Sequence, residues 1–129
     1  MPKDIENIAD VKLLVDEFYG KVRHNELLQP IFDGVIQNQW PEHLDKMYRF
    51  WQTVLLEEHT YNGAPFPPHA ELPVDIKHFN TWLDLFYQTL DENFEGENAD
   101  KAKGQGQRMA QTFYNRISFF RNRQHIQLS

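Results

Sequence analysis

Four segments of the chain repeat apolar residues at steps of three and four, the spacing of an amphipathic helix. The first stripe contains Val11, Leu14, Val15, Phe18 and Val22. The second contains Trp40, Leu44, Met47, Trp51, Val54 and Leu55. The third contains Ile76, Phe79, Trp82, Leu83, Phe86, Leu90 and Phe94, and the fourth contains Ala102, Gly106, Met109, Phe113, Ile117 and Phe120. Helices with polar backs must bury these stripes against one another, so the pattern predicts an all-α fold.

Capping and turn residues set the expected limits of these helices. Asp10 and Asn7 are both suitable caps for the first helix, and Asp75 is a suitable cap for the third. Pro41 fits the first turn of the second helix, where its missing N–H is harmless. We expect only a short turn around Glu26–Phe32.

Two features do not fit a plain helical bundle. Residues 60–73 contain four prolines and one glycine, and a long irregular connection of this kind is either a surface loop or a functional segment. Gly104 and Gly106 lie inside the fourth stripe, where glycine weakens a helix. They mark either the start of that helix or a close packing contact.

Composition limits the class of protein. A chain of 129 residues predicts a single domain over 1–129, and 40% apolar residues exclude intrinsic disorder. The absence of cysteine excludes disulfides, thiolate metal sites and a cysteine nucleophile. No apolar run exceeds three residues and no signal segment is recognisable, so we expect a cytoplasmic protein without a membrane span.

The charge is distributed unevenly. Residues 1–99 carry 7 basic and 18 acidic side chains, whereas residues 100–129 carry 6 basic and 1 acidic. An acidic body argues against nucleic acid as a partner, because binding phosphates requires clustered lysine and arginine. The basic segment is either a solvated helix face or a surface for an anionic partner.

Three side chains beside the apolar stripes have both a structural and a functional interpretation. His43 lies about 40° from Met47 and 20° from Phe50 on the helical wheel, by helix geometry. It is either a boundary residue of the core or part of a wall that faces a flat ligand. Tyr19 and Trp82 have the same ambiguity, because a buried hydroxyl or indole N–H needs a partner.

His69 follows two prolines in the irregular connection. A lone loop histidine does not define a metal site, since a metal ion needs several protein ligands. Haem is the exception, because its porphyrin supplies four nitrogens and the protein need supply only one histidine.

In their order and spacing, several fragments resemble the truncated haemoglobins, and among these the group III proteins. The matching fragments extend over about residues 12–120. They are Glu17–Arg23, Pro30–Phe32, Trp40–His43, Phe50–Trp51, Tyr61–Gly63, Pro68–Pro73 and Trp82–Phe86.

This resemblance implies a globin-like two-over-two helical sandwich around haem b. His69 takes the proximal position that binds iron, and His43 takes the distal position. Tyr19 matches the tyrosine whose hydroxyl contacts an iron-bound ligand, and Trp82 matches the pocket tryptophan of group III. These three distal donors are the candidate catalytic residues.

The resemblance also implies four further haem contacts. Phe32 matches an aromatic residue at the haem edge, and Lys46 matches a basic residue that meets a propionate. Met47 and Phe50 are expected to line the distal pocket.

The implied function is reversible binding of dioxygen and of related gases such as nitric oxide and carbon monoxide. Oxygen transport, nitric oxide dioxygenation and peroxide chemistry are the candidate roles, and the redox roles require a reductase. Three polar groups around the iron favour redox chemistry over transport. The alternatives are a cofactor-free helical interaction module and a haem-based sensor that acts on a partner.

Overall fold

The computed structural model of the chain describes residues 2–61 and 74–128, except for the side chains of residue 120 and of residues 123–128. The described residues form five helices: α1 (Ile8–Arg23), α2 (Gln29–Ile36), α3 (Trp40–Leu56), α4 (Ile76–Asn93) and α5 (Glu97–Leu128). Within the described ranges the β-structure is limited to one isolated bridge between Lys3 and Phe94. The predicted all-α class is therefore confirmed.

The four predicted long helices are present, but the first connection differs from our expectation. The turn is confined to residues 24–28, where the Asn25 side chain accepts hydrogen bonds from the backbone N–H groups of Leu27 and Leu28. Helix α2 then begins at Gln29, with Pro30 in its first turn. Proline suits that position, so the residue that we took as part of a turn in fact starts a helix.

The cap of α1 is Asn7, whose side-chain oxygen accepts a hydrogen bond from the backbone N–H of Asp10 at 3.0 Å. Asp10 has a different role. Its carboxylate accepts hydrogen bonds from the backbone N–H of Glu6 and the ammonium group of Lys3, and these contacts hold the N-terminal segment against α1.

The core lies where α1 packs against α3 and α4, and α4 in turn packs against α5. Phe86 is at its centre and is stacked between Trp51 and Trp82, with ring-centroid distances of 5.2 and 5.6 Å. Phe18 of α1 meets Trp82 and Phe86 edge-on. Ile76, which we assigned to the apolar stripe of α4, is 51% exposed. It is the first residue of α4 and lies outside the packed core.

The two glycines of α5 lie in its interior, so neither marks its start. A Cβ atom on Gly106 would lie 2.9 Å from two ring atoms of Phe86, which identifies Gly106 as a close packing contact. A Cβ atom on Gly104 would meet only the guanidinium end of Arg108, at 3.4 Å.

The N-terminal segment caps the last helix. The carboxylate of Asp4 accepts hydrogen bonds from the backbone N–H groups of Asn98 and Ala99, at 3.0 and 2.9 Å. These N–H groups belong to the first turn of α5, where they have no partner within the helix. Asp4 therefore connects the beginning of the chain to its last helix.

Candidate functional site

A cavity of about 410 Å³ lies between α2, α3, α4 and α5. Its wall is mainly apolar and aromatic, which is typical of pockets for organic cofactors. The apolar members are Leu28, Ile31, Phe32, Val35, Ile36, Val74, Phe79, Trp82, Met109, Ala110 and Phe113, and the polar members are Gln39, Glu42, His43, Lys46 and His78.

Most of the polar wall comes from the beginning of α3. Glu42, His43 and Lys46 follow one another along the first turns of this helix. Residues three and four positions apart share a helix face, so the local sequence itself places these groups together. Lys46 supplies a cation beside His43.

His43 is held neutral. Its Nε2 atom is buried, and the burial of the ring together with the nearby charge of Lys46 lowers the pKa of His43 to about 4. At neutral pH the ring therefore carries one N–H donor and one acceptor nitrogen.

Tyr19 lies behind His43, in the core, and is not part of the described cavity wall. The two rings meet at right angles with centroids 5.2 Å apart. Burial raises the pKa of Tyr19 above its ordinary value of 10. The hydroxyl therefore stays protonated and remains a donor.

The cavity includes some of the expected haem contacts and leaves out others. Phe32, Lys46 and Trp82 lie in its wall together with His43, and their contact with haem stays a prediction. Met47 and Phe50 are buried in the core cluster and do not belong to the described wall. Their contact with haem stays a prediction, as does that of His69, which lies outside the described residues.

His78 is a wall residue that the sequence analysis did not identify. Its Nδ1 atom accepts a hydrogen bond from the backbone N–H of Asp75 at 2.9 Å, so the neutral ring carries its proton on Nε2. Its spacing from the predicted cap Asp75 could have indicated this contact, since the side chain of the third residue after an N-cap often forms a hydrogen bond with the cap backbone. His78 also precedes Trp82 by one helical turn.

Two other parts of the wall were also missed. Phe113 was assigned only to the fourth apolar stripe, but it lines the cavity and also contacts Phe79, with centroids 5.8 Å apart. Three of the four contacts from α2 were missed because an eight-residue helix is too short to show a period, and they are Ile31, Val35 and Ile36.

The helices formed by the described residues and the cavity between them define an all-helical protein with an apolar pocket. A family profile for bacterial-like globins matches residues 4–117. The chain therefore belongs to the bacterial-like globin family, and its relatives in that family include group III truncated haemoglobins.

One curated relative and one solved structure support this placement. The group 3 truncated haemoglobin ctb of Campylobacter jejuni is 34% identical over 115 residues, which span 86% of this chain and 91% of the relative. The crystal structure of a group III truncated haemoglobin from Campylobacter jejuni superposes with a TM-score of 0.79. It is 33% identical and is aligned over 91% of this chain and 95% of that chain.

The resemblance stated from the sequence is thus confirmed. Membership of the globin family implies haem binding, and globins bind diatomic gases such as oxygen. None of the helices formed by the described residues is long and apolar enough to cross a membrane.

Proposed function

We propose that the protein binds one haem b in the cavity between α2, α3, α4 and α5 and reversibly binds dioxygen and related diatomic gases there. The observation that carries this proposal is the cavity itself. It combines an apolar wall with neutral hydrogen-bond donors, next to a core that is closed by stacked aromatic rings.

The residues of the cavity fit haem. A porphyrin is flat and mostly apolar, and eleven of the sixteen described wall residues are apolar. Its propionates need a cation, and Lys46 in the wall is suited to that role. Burial of the macrocycle against this wall stabilises the folded protein by mass action, because the unfolded chain does not bind haem in this way.

His69 is proposed as the axial ligand. This assignment rests on the family resemblance and on the stiff Pro67-Pro68 segment before it. His69 would hold the haem iron, and bound haem would supply the metal chemistry needed to bind a small gas.

Three side chains are proposed to act on the gas. Tyr19 keeps its hydroxyl proton because of burial, and His43 keeps a neutral ring with one N–H. Trp82 is in the cavity wall, and its indole is a donor only. Donors in a dry pocket stabilise negative charge that develops on a polar ligand.

The polar character of this wall also favours redox chemistry, with nitric oxide dioxygenation as the first candidate and peroxide chemistry as the second. Both need an external reductant. Mixing the oxygenated protein with nitric oxide and measuring nitrate tests the first candidate. Rapid stoichiometric nitrate supports it, and release of unreacted nitric oxide contradicts it.

An absorption spectrum of the ferric, ferrous and carbon monoxide forms tests the proposal as a whole. We expect a red protein with an intense Soret band. A colourless, folded protein that refuses added haemin would refute haem binding and would favour the cofactor-free interaction module.

The axial assignment is tested by His69→Ala, with His59→Ala as the matched control. His59 lies outside the helices, is exposed and is absent from the described cavity wall. We expect loss of haem affinity and an altered ferrous spectrum only for His69→Ala. Equal spectra of the two variants would contradict the assignment.

Tyr19→Phe tests the distal role of the hydroxyl. It removes one donor and keeps the ring that packs on His43, so we expect faster release of dioxygen, by about tenfold for one hydrogen bond of roughly 1.4 kcal/mol. Stopped-flow measurement of the off-rate checks this expectation. An unchanged off-rate would show that the hydroxyl does not contact the ligand.

A further inference from the structure

Trp40 opens helix α3 one turn before His43 and is buried. Its ring lies against two of the proposed distal groups, with centroids 5.8 Å from Tyr19 and 5.8 Å from His43. Since Tyr19 and His43 also meet each other, the three rings form a closed cluster, which we call the distal ring cluster.

The outer edge of Trp40 is fixed by polar groups. Its indole N–H donates to the Oδ1 atom of Asp33 at 3.0 Å. The guanidinium group of Arg23 lies over the indole ring, 4.4 Å from its centroid. The ring is thus held in position at its N–H and on one face.

Asp33 is the centre of this polar contact. It also accepts a hydrogen bond from Gln29 at 2.5 Å and faces Arg23 at 4.0 Å. The hydrogen bond from Gln29, followed by that from Trp40 and the charge of Arg23, lowers the pKa of Asp33 despite some opposing desolvation. The carboxylate is therefore ionised at neutral pH and is a strong acceptor.

Asp33 belongs to α2, and other side chains of α2 line the cavity. Phe32, Val35 and Ile36 are part of the wall, whereas Asp33 is not. The bond from Trp40 to Asp33 consequently joins the helix that carries His43 to the helix that closes one side of the pocket.

We propose that the Asp33–Trp40 hydrogen bond positions the distal site by fixing the Trp40 ring, which in turn sets the orientation of the His43 ring and the position of α2. Trp40 and Asp33 are positioning residues in this proposal, because they act through His43. The inference rests on the proposed binding of haem and gas in this cavity.

The physical reason is the softness of ring rotation. The last torsion of histidine and of tryptophan has a broad energy profile, so packing decides the plane of each ring. His43 stands at 88° to Tyr19 and at 87° to Trp40, and an edge-to-face contact of this kind depends on both partners keeping their planes. Loss of the hydrogen bond from the Trp40 indole to Asp33 allows the Trp40 ring to change its plane.

Four variants separate this role from general stability. Trp40→Phe keeps an aromatic ring but removes the N–H. Asp33→Leu removes the acceptor, while Asp33→Asn keeps an oxygen that can accept from Trp40. Tyr48→Phe is the matched control, because Tyr48 also joins two helices by donating a hydrogen bond to an aspartate, Asp16, and is absent from the cavity wall.

The first readout is the infrared stretching band of carbon monoxide bound to the ferrous, haem-loaded protein. This band responds to the orientation of nearby donors and does not measure activity. For Trp40→Phe and Asp33→Leu we expect a second band, which reports a second orientation of the His43 ring. The ratio of the two orientations should change by about tenfold, which is the effect of losing one hydrogen bond to a charged acceptor. Asp33→Asn and Tyr48→Phe should retain the wild-type band.

The second readout does not depend on gas binding. Nuclear magnetic resonance should show a contact between the His43 and Tyr19 rings in the wild-type protein and in Asp33→Asn. The same contact should be weaker in Trp40→Phe and Asp33→Leu.

An unchanged carbon monoxide band and an unchanged ring contact in Trp40→Phe and Asp33→Leu would overturn the positioning role. If Asp33→Asn changes the band and the ring contact as much as Asp33→Leu does, the charge of Asp33 and not its hydrogen bond positions the Trp40 ring, and the proposal is wrong. A wild-type protein without any carbon monoxide band refutes the proposed function, while the ring contact still decides whether Trp40 orients His43.

Discussion

Replacing Gly106 by alanine tests whether the tight contact between α5 and the aromatic core is needed for stability. The new Cβ atom would lie 2.9 Å from two ring atoms of Phe86 and 3.7 Å from a methyl group of Leu83. Phe86 is 1% exposed, and it is stacked on Trp51 on one side and Trp82 on the other. The ring therefore has little room to move, and any movement reaches Trp82 in the cavity wall.

The expected magnitude follows from two opposing effects. Replacing glycine by alanine in a helix interior stabilises the helix by about 1 kcal/mol. Forcing an extra carbon into a well-packed core costs about 1–3 kcal/mol. We expect Gly106→Ala to lower the free energy of unfolding by about 1 kcal/mol, which corresponds to roughly 4 °C in Tm for a chain of this size.

Gly104→Ala is the control in the same helix. Its Cβ atom would meet only the flexible end of Arg108, so the helix effect remains without the core cost. We expect this variant to gain up to about 1 kcal/mol. Thermal unfolding followed by circular dichroism, at equal haem loading, compares the two proteins. If both variants gain stability equally, the proposed contact between Gly106 and Phe86 does not limit the packing.

Two further predictions concern the N-terminal cap and His43. Asp4→Ala removes the acceptor for two backbone N–H groups of α5 and should cost about 1–2 kcal/mol in urea unfolding, whereas Asp4→Asn, which keeps an acceptor oxygen, should lose less. If both variants match the wild type, the cap contributes nothing. His43 has a folded-state pKa of about 4 against an ordinary 6.5, so below pH 6.5 the unfolded chain binds a proton that the folded protein does not. Stability should fall by about 1 kcal/mol between pH 7 and pH 5, after a discount for the partial exposure of the ring, and His43→Phe should reduce this fall. An identical pH dependence in that variant would contradict the assignment.

The long helices could be predicted from the sequence because each carries a stripe that repeats over about three or more turns. Helix α2 could not, since its eight residues are too few to show a period and its apolar side chains line the cavity. The turn residues before Gln29 made the beginning of that helix difficult to predict. Gly106 illustrates the same limit, because nothing in its local sequence indicates that Phe86 approaches from another helix.

The candidate site was predictable only in part, for a related reason. His43 and Lys46 share one helix face, so their spacing alone brings them together. Trp82 and Phe113 belong to different helices, and only the packing of α4 against α5 brings both to one cavity. His78 needed the capping interaction with Asp75 to orient its ring. The family resemblance supplied the assignments of Tyr19 and His69 that spacing could not.

Burial is the main cause of the protonation states of Tyr19 and His43. Desolvation disfavours the charged form of every ionisable group, so it raises the pKa of a phenol and lowers the pKa of an imidazole. Tyr19 and His43 are shifted in these opposite directions, and both end as neutral donors around neutral pH. Lys46 adds to the effect on His43 because a second positive charge nearby disfavours protonation of the ring. The apolar stripes that build the fold are thus also what keeps the two polar groups beside the cavity in the protonation state that a gas-binding site requires.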